Sequence, residues 1–551
     1  MSKINIYQTF PRLFGNENSN KVKNGSLTEN GCGKFRAYTP EILQEIKDLG
    51  ITHVWYTGVI EHATQSDYSA FGIQRDNPFM VKGKAGSPYA VKDYYDVSPD
   101  LAENVNNRMK EFEELVKQTH NADLKVIIDF VPNHVAREYR SDKKPKKVSD
   151  LGENDDTTVF FSPENNFYYL NESLQPAFDY GNYTEFPAKA TGNNQFSPNP
   201  NRNDWYETIK LNYGVDYSDH CRKHFLSVPD TWKKMRDILL FWAKKSVDGF
   251  RCDMAEMAPL EFWQWAIPIV KTKYPSVIFL AEVYNQSLYR SFVGAGFDYL
   301  YDKEPMYDTL RAIICGHAPA RHITHCWQSV DDIQSHMLRF LENHDEQRIA
   351  SGFFAGNPHK ALPAMIVCAT LSTSPTMIYF GQELGEQGMD EEGFSGQDGR
   401  TTIFDYWQIV SVENWRNGKL SKEQKELRRF YKKLLNISIA EKAIVEGSMY
   451  DLMWVNEQNP HFNPDKQFAF LRKKDDELLL IAVNFDDKDV SVEISIPQHA
   501  FDYLNLTSNK SVKPEYLLSG KKSSKKIILA NNTNIKIELC KFGGEIIKVR
   551  V

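Results

Sequence analysis

Val126-Ile-Ile-Asp-Phe-Val-Pro-Asn-His134, Gly249-Phe-Arg-Cys-Asp253, Ile278-Phe-Leu-Ala-Glu282 and Phe340-Leu-Glu-Asn-His-Asp345 share one construction: an apolar run that stops at polar side chains. A buried parallel strand delivering a side chain to the carboxyl-end face of a barrel reads this way. Around them the chain alternates strand and helix patterns, with strands beginning near residues 4, 53, 126, 249, 277, 297, 337 and 376. Between them, Thr39-Pro40 opens a helix that Gly50 closes, and Met109, Phe112, Leu115 and Val116 form a helical stripe. Further helices are predicted over Val228 to Ser246, Pro259 to Tyr274 and Ala361 to Leu371. Eight alternating units predict an α/β chain with a (β/α)8 TIM barrel, built from residues 1–134 and 218–437. A doubly wound open sheet competes, but no Gly-rich phosphate fingerprint follows the first strand.

The alternation lapses over residues 135–217, which are polar, aromatic and rich in Asn, Pro and Gly. A structureless loop of that length does not belong inside a compact domain, so an inserted domain after strand 3 is the reading. Ser421 with Gln424 forms a capping box for a helix running to about Leu435. Residues 438–551 then switch to period two: Phe468 to Arg472, Leu478 to Asn484, Val490 to Ile496, Lys526 to Leu529 and Ile546 to Val551. This predicts an all-β C-terminal domain, an antiparallel sandwich.

A net charge of −7 over 551 residues argues against nucleic acid as the partner. The basic runs Lys143 to Lys147 and Lys521 to Lys526 are short and read as solvated loops. Seven cysteines lack metal-type spacing, and Cys252 sits within an apolar strand, as expected of free thiols in a reducing compartment. No run reaches about 18 apolar residues, so no membrane partner is expected. The N-terminus has no signal-peptide pattern, and with Met1 as the natural start a cytoplasmic protein is expected. Aromatic residues make up 13% of the chain, enough for both a large core and some apolar platforms for sugar rings.

Asp253, Glu282 and Asp345 each stand at a predicted strand end. Alone, each would be read as a cap or a surface ion pair. Four such segments in order supply what glycosidic cleavage demands: a nucleophile, a proton donor and a third carboxylate to manage charge. Arg251 lies two residues before Asp253, on the same face of the strand, so it is expected to hold Asp253 ionised. The apolar Phe279-Leu-Ala281 before Glu282 is expected to favour its protonated form. Asn343 and His344 carry donors suited to sugar hydroxyls.

These segments resemble the motifs of the α-amylase family of glycoside hydrolases. Asp129 to His134, Gly249 to Asp253, Leu280 to Glu282 and Glu342 to Asp345 are similar to its four motifs in order, and Ser374 to Glu383 to the stretch around strand eight. The resemblance covers nearly the whole chain. It implies Asp253 as nucleophile, Glu282 as general acid/base, and Asp345 as the carboxylate that binds ring hydroxyls. It further implies that Arg251, His134 and His344 contact that sugar and that Tyr89 stacks on it. No cofactor is required.

Three departures from the family pattern matter. The Lys-His pair after the nucleophile is replaced by Glu256 and Met257, which bears on the acceptor side. The inserted domain's Asp-Leu-Asn is Lys210-Leu-Asn212, so Asn133 keeps an oxygen for calcium while the Lys210 ammonium opposes the ion. The acidic residue that α-glucosidases place three before the stacking tyrosine is Gly86, which favours an open cleft over a blocked pocket.

The resulting expectation is a retaining hydrolase of α-1,4-linked glucans or maltooligosaccharides. Transfer of the same glycosyl group to a sugar or phosphate acceptor is the alternative. A non-catalytic glucan-binding protein is the third reading, and the complete carboxylate set argues against it.

Overall fold

The computed structural model describes residues 3–522, 525–531 and 533–551. Met1, and Ser523 and Ser524 of the second basic run, therefore lie outside the described residues. Eight parallel strands form one sheet: β1 (Asn5–Thr9), β2 (His53–Tyr56), β3 (Lys125–Phe130), β4 (Gly249–Cys252), β5 (Ile278–Ala281), β6 (Tyr299–Tyr301), β7 (Met337–Leu338) and β8 (Thr376–Tyr379). Their spatial order is β7-β6-β5-β4-β3-β2-β1-β8. A parallel bridge between Arg339 and Thr376 joins the two ends and closes the sheet into a TIM barrel.

Side chains alternate between the two sides of the barrel wall. Ile6, Trp55, Ile127, Leu280, Tyr301, Leu338 and Met377 make one buried cluster inside the ring. Tyr7, Val54, Ile128, Phe250, Phe279 and Leu300 belong to the separate core shared with the surrounding helices. The helices follow their apolar stripes. Pro40–Asp48 starts at Thr39, whose hydroxyl accepts from the Ile42 N–H, and buries Ile42, Leu43 and Ile46. Arg108–Asn121, Asp230–Lys244, Leu260–Lys273 and Leu362–Thr370 cover further strands. The Ser421 capping box starts a helix that runs on to Ala440, beyond its predicted end.

Between β3 and β4 the chain leaves the ring. His134–Ala136 pairs with Thr208–Lys210, and Tyr169–Leu170 with Ala188–Lys189. A further pair, Val215–Asp216 with Arg222–Lys223, extends this irregular region past residue 217. Leu170, Leu174 and Ala188 form a small core of its own.

The C-terminal part holds a five-stranded antiparallel sheet, ordered Ser448–Asp451, Gln467–Lys474, Glu477–Asn484, Gly543–Arg550 and Glu515–Tyr516. Val490–Ser495 and Asn534–Leu539 pair separately and contribute Val492, Ile494, Ile535 and Ile537 to the same core. The region is not the all-β domain that the period-two pattern predicts. Met453–Asn456 and Gln498–Leu504 are short helices, the second burying Ala500, Phe501 and Leu504 along one face. All seven cysteines are free, and Cys252 is fully buried.

Candidate active site

Arg251 is the centre of the constellation. It occupies an inward position of β4, in register with Asp129 on β3 and Leu280 on β5. Its side chain is wholly buried, and its guanidinium lies 5.3, 5.4 and 5.6 Å from the ring centres of Trp55, Tyr89 and Tyr301. A cation in that position needs anions. It finds Asp253 at 2.6 Å, Glu282 at 2.8 Å and Asp129 at 3.6 Å. One guanidinium therefore gathers the carboxylates predicted from two different strand ends.

The barrel ladder continues one residue past the strands and fixes both backbones. The Asp253 N–H donates to the Phe130 carbonyl at 2.9 Å, and the Glu282 N–H to the Cys252 carbonyl at 3.1 Å. Met254 then turns the chain with a left-handed φ of 42°, which aims its N–H at Glu282 Oε2 at 2.7 Å. The Tyr284 hydroxyl donates to Glu282 Oε1 at 2.6 Å. Glu282 thus faces a guanidinium, an amide and a phenol rather than an apolar wall.

This departs from the expectation that Arg251 holds Asp253 ionised. Burial pushes Asp253 well above the ordinary carboxylate range; Arg251 pulls it back, and the neighbouring Glu282 and Asp345 charges add to the rise. Short-range reading assigned Arg251 to Asp253 alone. In the fold, Arg251 is shared, so neither carboxylate owns the full compensating charge.

Asp345 is set by the loop after β7. Glu342 anchors that loop, accepting from the Ile349 N–H at 2.7 Å and from Arg348 at 2.9 Å. The Asp345 side chain stays 40% exposed and lies 3.0 Å from His344 Nε2. Burial acts to raise its pKa, but the fields of His344, Arg251 and Arg400 outweigh it and hold the carboxyl down at about 2. His344 is itself clamped, with Gln8 at 2.8 Å on Nδ1 and the Tyr89 hydroxyl at 2.5 Å on Nε2. A cavity of about 140 Å³ lined by His344, Asp345, Asp398 and Arg400 opens beside them.

Residues 8–273 match the family model described as alpha amylase, catalytic domain. They belong to the α-amylase family. Alpha-amylase 3 of Dictyoglomus thermophilum is 23% identical over 557 aligned positions, covering 97% of this chain and 93% of that protein. Alpha-1,4-glucan:maltose-1-phosphate maltosyltransferase of Cereibacter sphaeroides is 37% identical over 92 residues, 15% of this chain and 16% of that protein. Among solved structures, the noncanonic maltogenic alpha-amylase AmyB from Thermotoga neapolitana superposes with a TM-score of 0.64 at 18% identity, covering 100% of this chain and 99% of that one. The chain is a glycoside hydrolase.

Set against the α-amylase pattern, the remaining predicted residues fall into distinct places. Tyr89 stacks its ring on His344, with centroids 5.1 Å apart. His134 packs against Trp205 at 5.2 Å, and burial pushes its pKa down to about 3. Arg251 is sealed beneath the carboxylates, so the expected direct sugar contact gives way to a role through Asp253 and Glu282. Asn343 also differs from expectation. Its side-chain oxygen accepts the N–H groups of Asp345 and Glu346, both at 2.9 Å, so it forms the turn that presents Asp345.

The calcium expectation at Asn133 fails for a physical reason. The Lys210 ammonium donates to Asn133 Oδ1 and, at 3.2 Å, to the Met257 carbonyl, filling the lone-pair region that a cation would use. Burial pushes Lys210 down to about 7, and a divalent ion beside it would face direct repulsion in a low-dielectric site. Among the described residues no cluster of three His, Cys, Asp or Glu side chains is arranged to hold a metal. The donor set does not fit calcium.

Gly86 cannot be the acidic residue found in α-glucosidases. Its φ is 77°, and a Cβ would lie 1.8 Å from the Ala63 carbonyl oxygen. Glu256 accepts from the Asn285 N–H at 3.2 Å, tying the loop after β4 to the one after β5.

Sequence reasoning assigned no role to Gln8, Tyr284, Tyr301, Asp129 or Arg400. Tyr284 and Asp129 carried a signal, since both sit within or beside the quoted segments. Arg400, whose Nε donates to the Asp345 carbonyl at 2.5 Å, comes from a distant loop with no local mark.

Proposed function

We propose that this chain is a retaining hydrolase of α-1,4-linked glucans or maltooligosaccharides. The observation that carries the reading is the sharing of one buried guanidinium by Asp253 and Glu282. That arrangement suits the separation of about 5–5.5 Å used for double displacement. Asp253 attacks the anomeric carbon while Glu282 protonates the departing glycosidic oxygen, leaving a glycosyl ester on Asp253. Glu282 then takes a proton from water, which attacks the same carbon and releases the sugar. The productive form has Asp253 ionised and Glu282 protonated. Asp345, exposed along one side and backed by the buried His344, holds the ring hydroxyls and places negative charge near the oxocarbenium-like transition state.

The test is Asp253→Asn together with the anomeric form of the first product. The expected outcome is loss of maltooligosaccharide hydrolysis in the variant and, in the parent, initial release of the α-anomer by NMR. Hydrolysis that survives Asp253→Asn, or initial release of the β-anomer, overturns the reading.

A second reading is glycosyl transfer through the same ester to a sugar or phosphate acceptor. Glu256 and Met257 on the acceptor-side loop favour it, as does the similarity over 92 residues to a maltosyltransferase. Chromatography at high substrate separates the two: products longer than the substrate support transfer, and only shorter ones support hydrolysis.

A further inference from the structure

A groove of about 750 Å³ opens between the barrel helix His322–Ser329 and the C-terminal domain. Ser372 and Thr373, which line it, immediately precede β8. The groove therefore lies toward the amino ends of the strands, whereas the carboxylates follow their carboxyl ends.

Its chemistry is specific. Trp454 and Tyr503 line it and are each 60% exposed, although both stand on well-anchored backbone. Asn456, fully buried, donates to the Leu452 and Ser495 carbonyls and accepts from the Ser495 N–H, which pins the turn carrying Trp454. The Tyr503 ring lies 5.8 Å from Tyr450 and nearly parallel to His499, and the Tyr450 hydroxyl is 2.9 Å from His499 Nδ1. Rings held open to water in this way have little freedom left to lose on binding.

The buried ions in the groove find their hydrogen-bond partners within the protein. Arg472 gives its guanidinium to the carbonyls of Ala443, Leu371, Ile444 and Gly447. Asp451 accepts from Trp327 Nε1 and the Thr324 hydroxyl at 2.7 Å, and from the Met453 N–H. Arg472 is buried behind those carbonyls and the exposed Asp331 adds a negative charge, which disfavours a phosphate or a polyanion, while amide, hydroxyl and imidazole groups remain along the walls. A concave surface that pairs exposed rings with hydrogen-bonding groups suits a ligand with apolar faces and a hydroxyl rim.

We propose that this groove is a second carbohydrate-binding site, in which Trp454 and Tyr503 serve as platforms for the pyranose faces of a neutral α-glucan chain. The choice of glucan rests on the proposed substrate class. Holding a polymer at the far end of the barrel raises its effective concentration at the cleft without taking part in the reaction.

The test uses the full chain carrying Glu282→Gln, so that soluble starch in a native gel is not digested. Retardation by starch is compared for this parent and for the same chain with Trp454→Ala, Trp454→Phe or Tyr503→Ala added. Trp454→Ala and Tyr503→Ala are each expected to weaken retardation about tenfold, Trp454→Phe to retain most of it, and Trp454→Ala alone to cleave maltotriose like the wild type. Should Trp454→Ala fold poorly by circular dichroism, Tyr503→Ala reads the same site. Retardation equal to the parent in both alanine variants overturns the proposal. So does a change in mobility without starch that reports loss of a dimer, which would assign the rings to a second copy of the chain. If the parent is not retarded while the wild type cleaves maltotriose, the groove proposal fails alone. If retardation depends on Trp454 but no α-glucoside is cleaved, the catalytic reading fails alone.

Discussion

Replacing Arg251 with Met removes the one cation that faces Asp129, Asp253 and Glu282 together. Taking away one partner of a buried ion pair leaves a charge without compensation, at a cost of about 3–5 kcal/mol. The loss should depend on pH in a defined direction. Burial already places the Asp253 pKa well above its unfolded value, and Arg251 is the largest influence lowering it. The variant therefore raises it further. A group with a raised folded pKa contributes stability that is full below its unfolded pKa and is lost as pH rises through the folded one. The deficit of Arg251→Met relative to the parent should thus grow as pH rises through the parent's folded Asp253 pKa and shrink toward acid, by about 1.4 kcal/mol for each unit of additional rise. Urea denaturation of both proteins across a pH series measures it. Arg251→Lys keeps a charge but cannot span Asp253 and Glu282, so an intermediate deficit with a weaker pH slope is expected. A deficit that is flat with pH, or that grows toward acid, would refute the shared-guanidinium argument.

The Asp345 charge helps raise the Asp253 pKa, so Asp345→Asn should move the acid limb of kcat/KM to lower pH even as kcat/KM itself falls; a limb that moves upward would reverse the assigned sign. Asp345 is held at about 2, too low to be the source of that limb. Chelation should leave the melting temperature unchanged, because Lys210 occupies Asn133; a drop reversed by added calcium would restore Asn133 as a ligand. Gly86→Ala should destabilise by more than about 1–2 kcal/mol, since the left-handed conformation adds to the contact with Ala63, and thermal melting will register it.

What was legible in the sequence, and what was not, divides along a physical line. A barrel strand announces itself locally: an apolar run must be buried on both sides, and a polar residue at its end must reach the open face. All eight strands and the positions of Asp253 and Glu282 follow from that rule, whereas β7 stops at Leu338 and Asp345 stands on the loop beyond it. Pairings across strands carry no such mark. Gln8 meets His344 only because β1 lies two places from β7 in the closed ring, with β8 between them. Asn343 has the right chemistry for a sugar hydroxyl, yet the sharp turn before Asp345 claims its oxygen first. The helix Gln498–Leu504 escaped because seven residues behind a proline give too short a stripe to set against the period-two pattern around it.

The electrostatics were the least legible, and the reason lies in barrel geometry. Reading Arg251 with Asp253 treats the strand as an isolated object, on which residues two apart share a face. In the ring, an inward position of β4 also faces β3 and β5, so the same side chain answers to Asp129 and Glu282. One guanidinium serving three carboxylates cannot compensate all of them fully, and burial leaves Asp129 and Asp253 above the ordinary carboxylate range. The shortage of positive charge around Arg251 is thus the feature that connects the barrel's register to its chemistry.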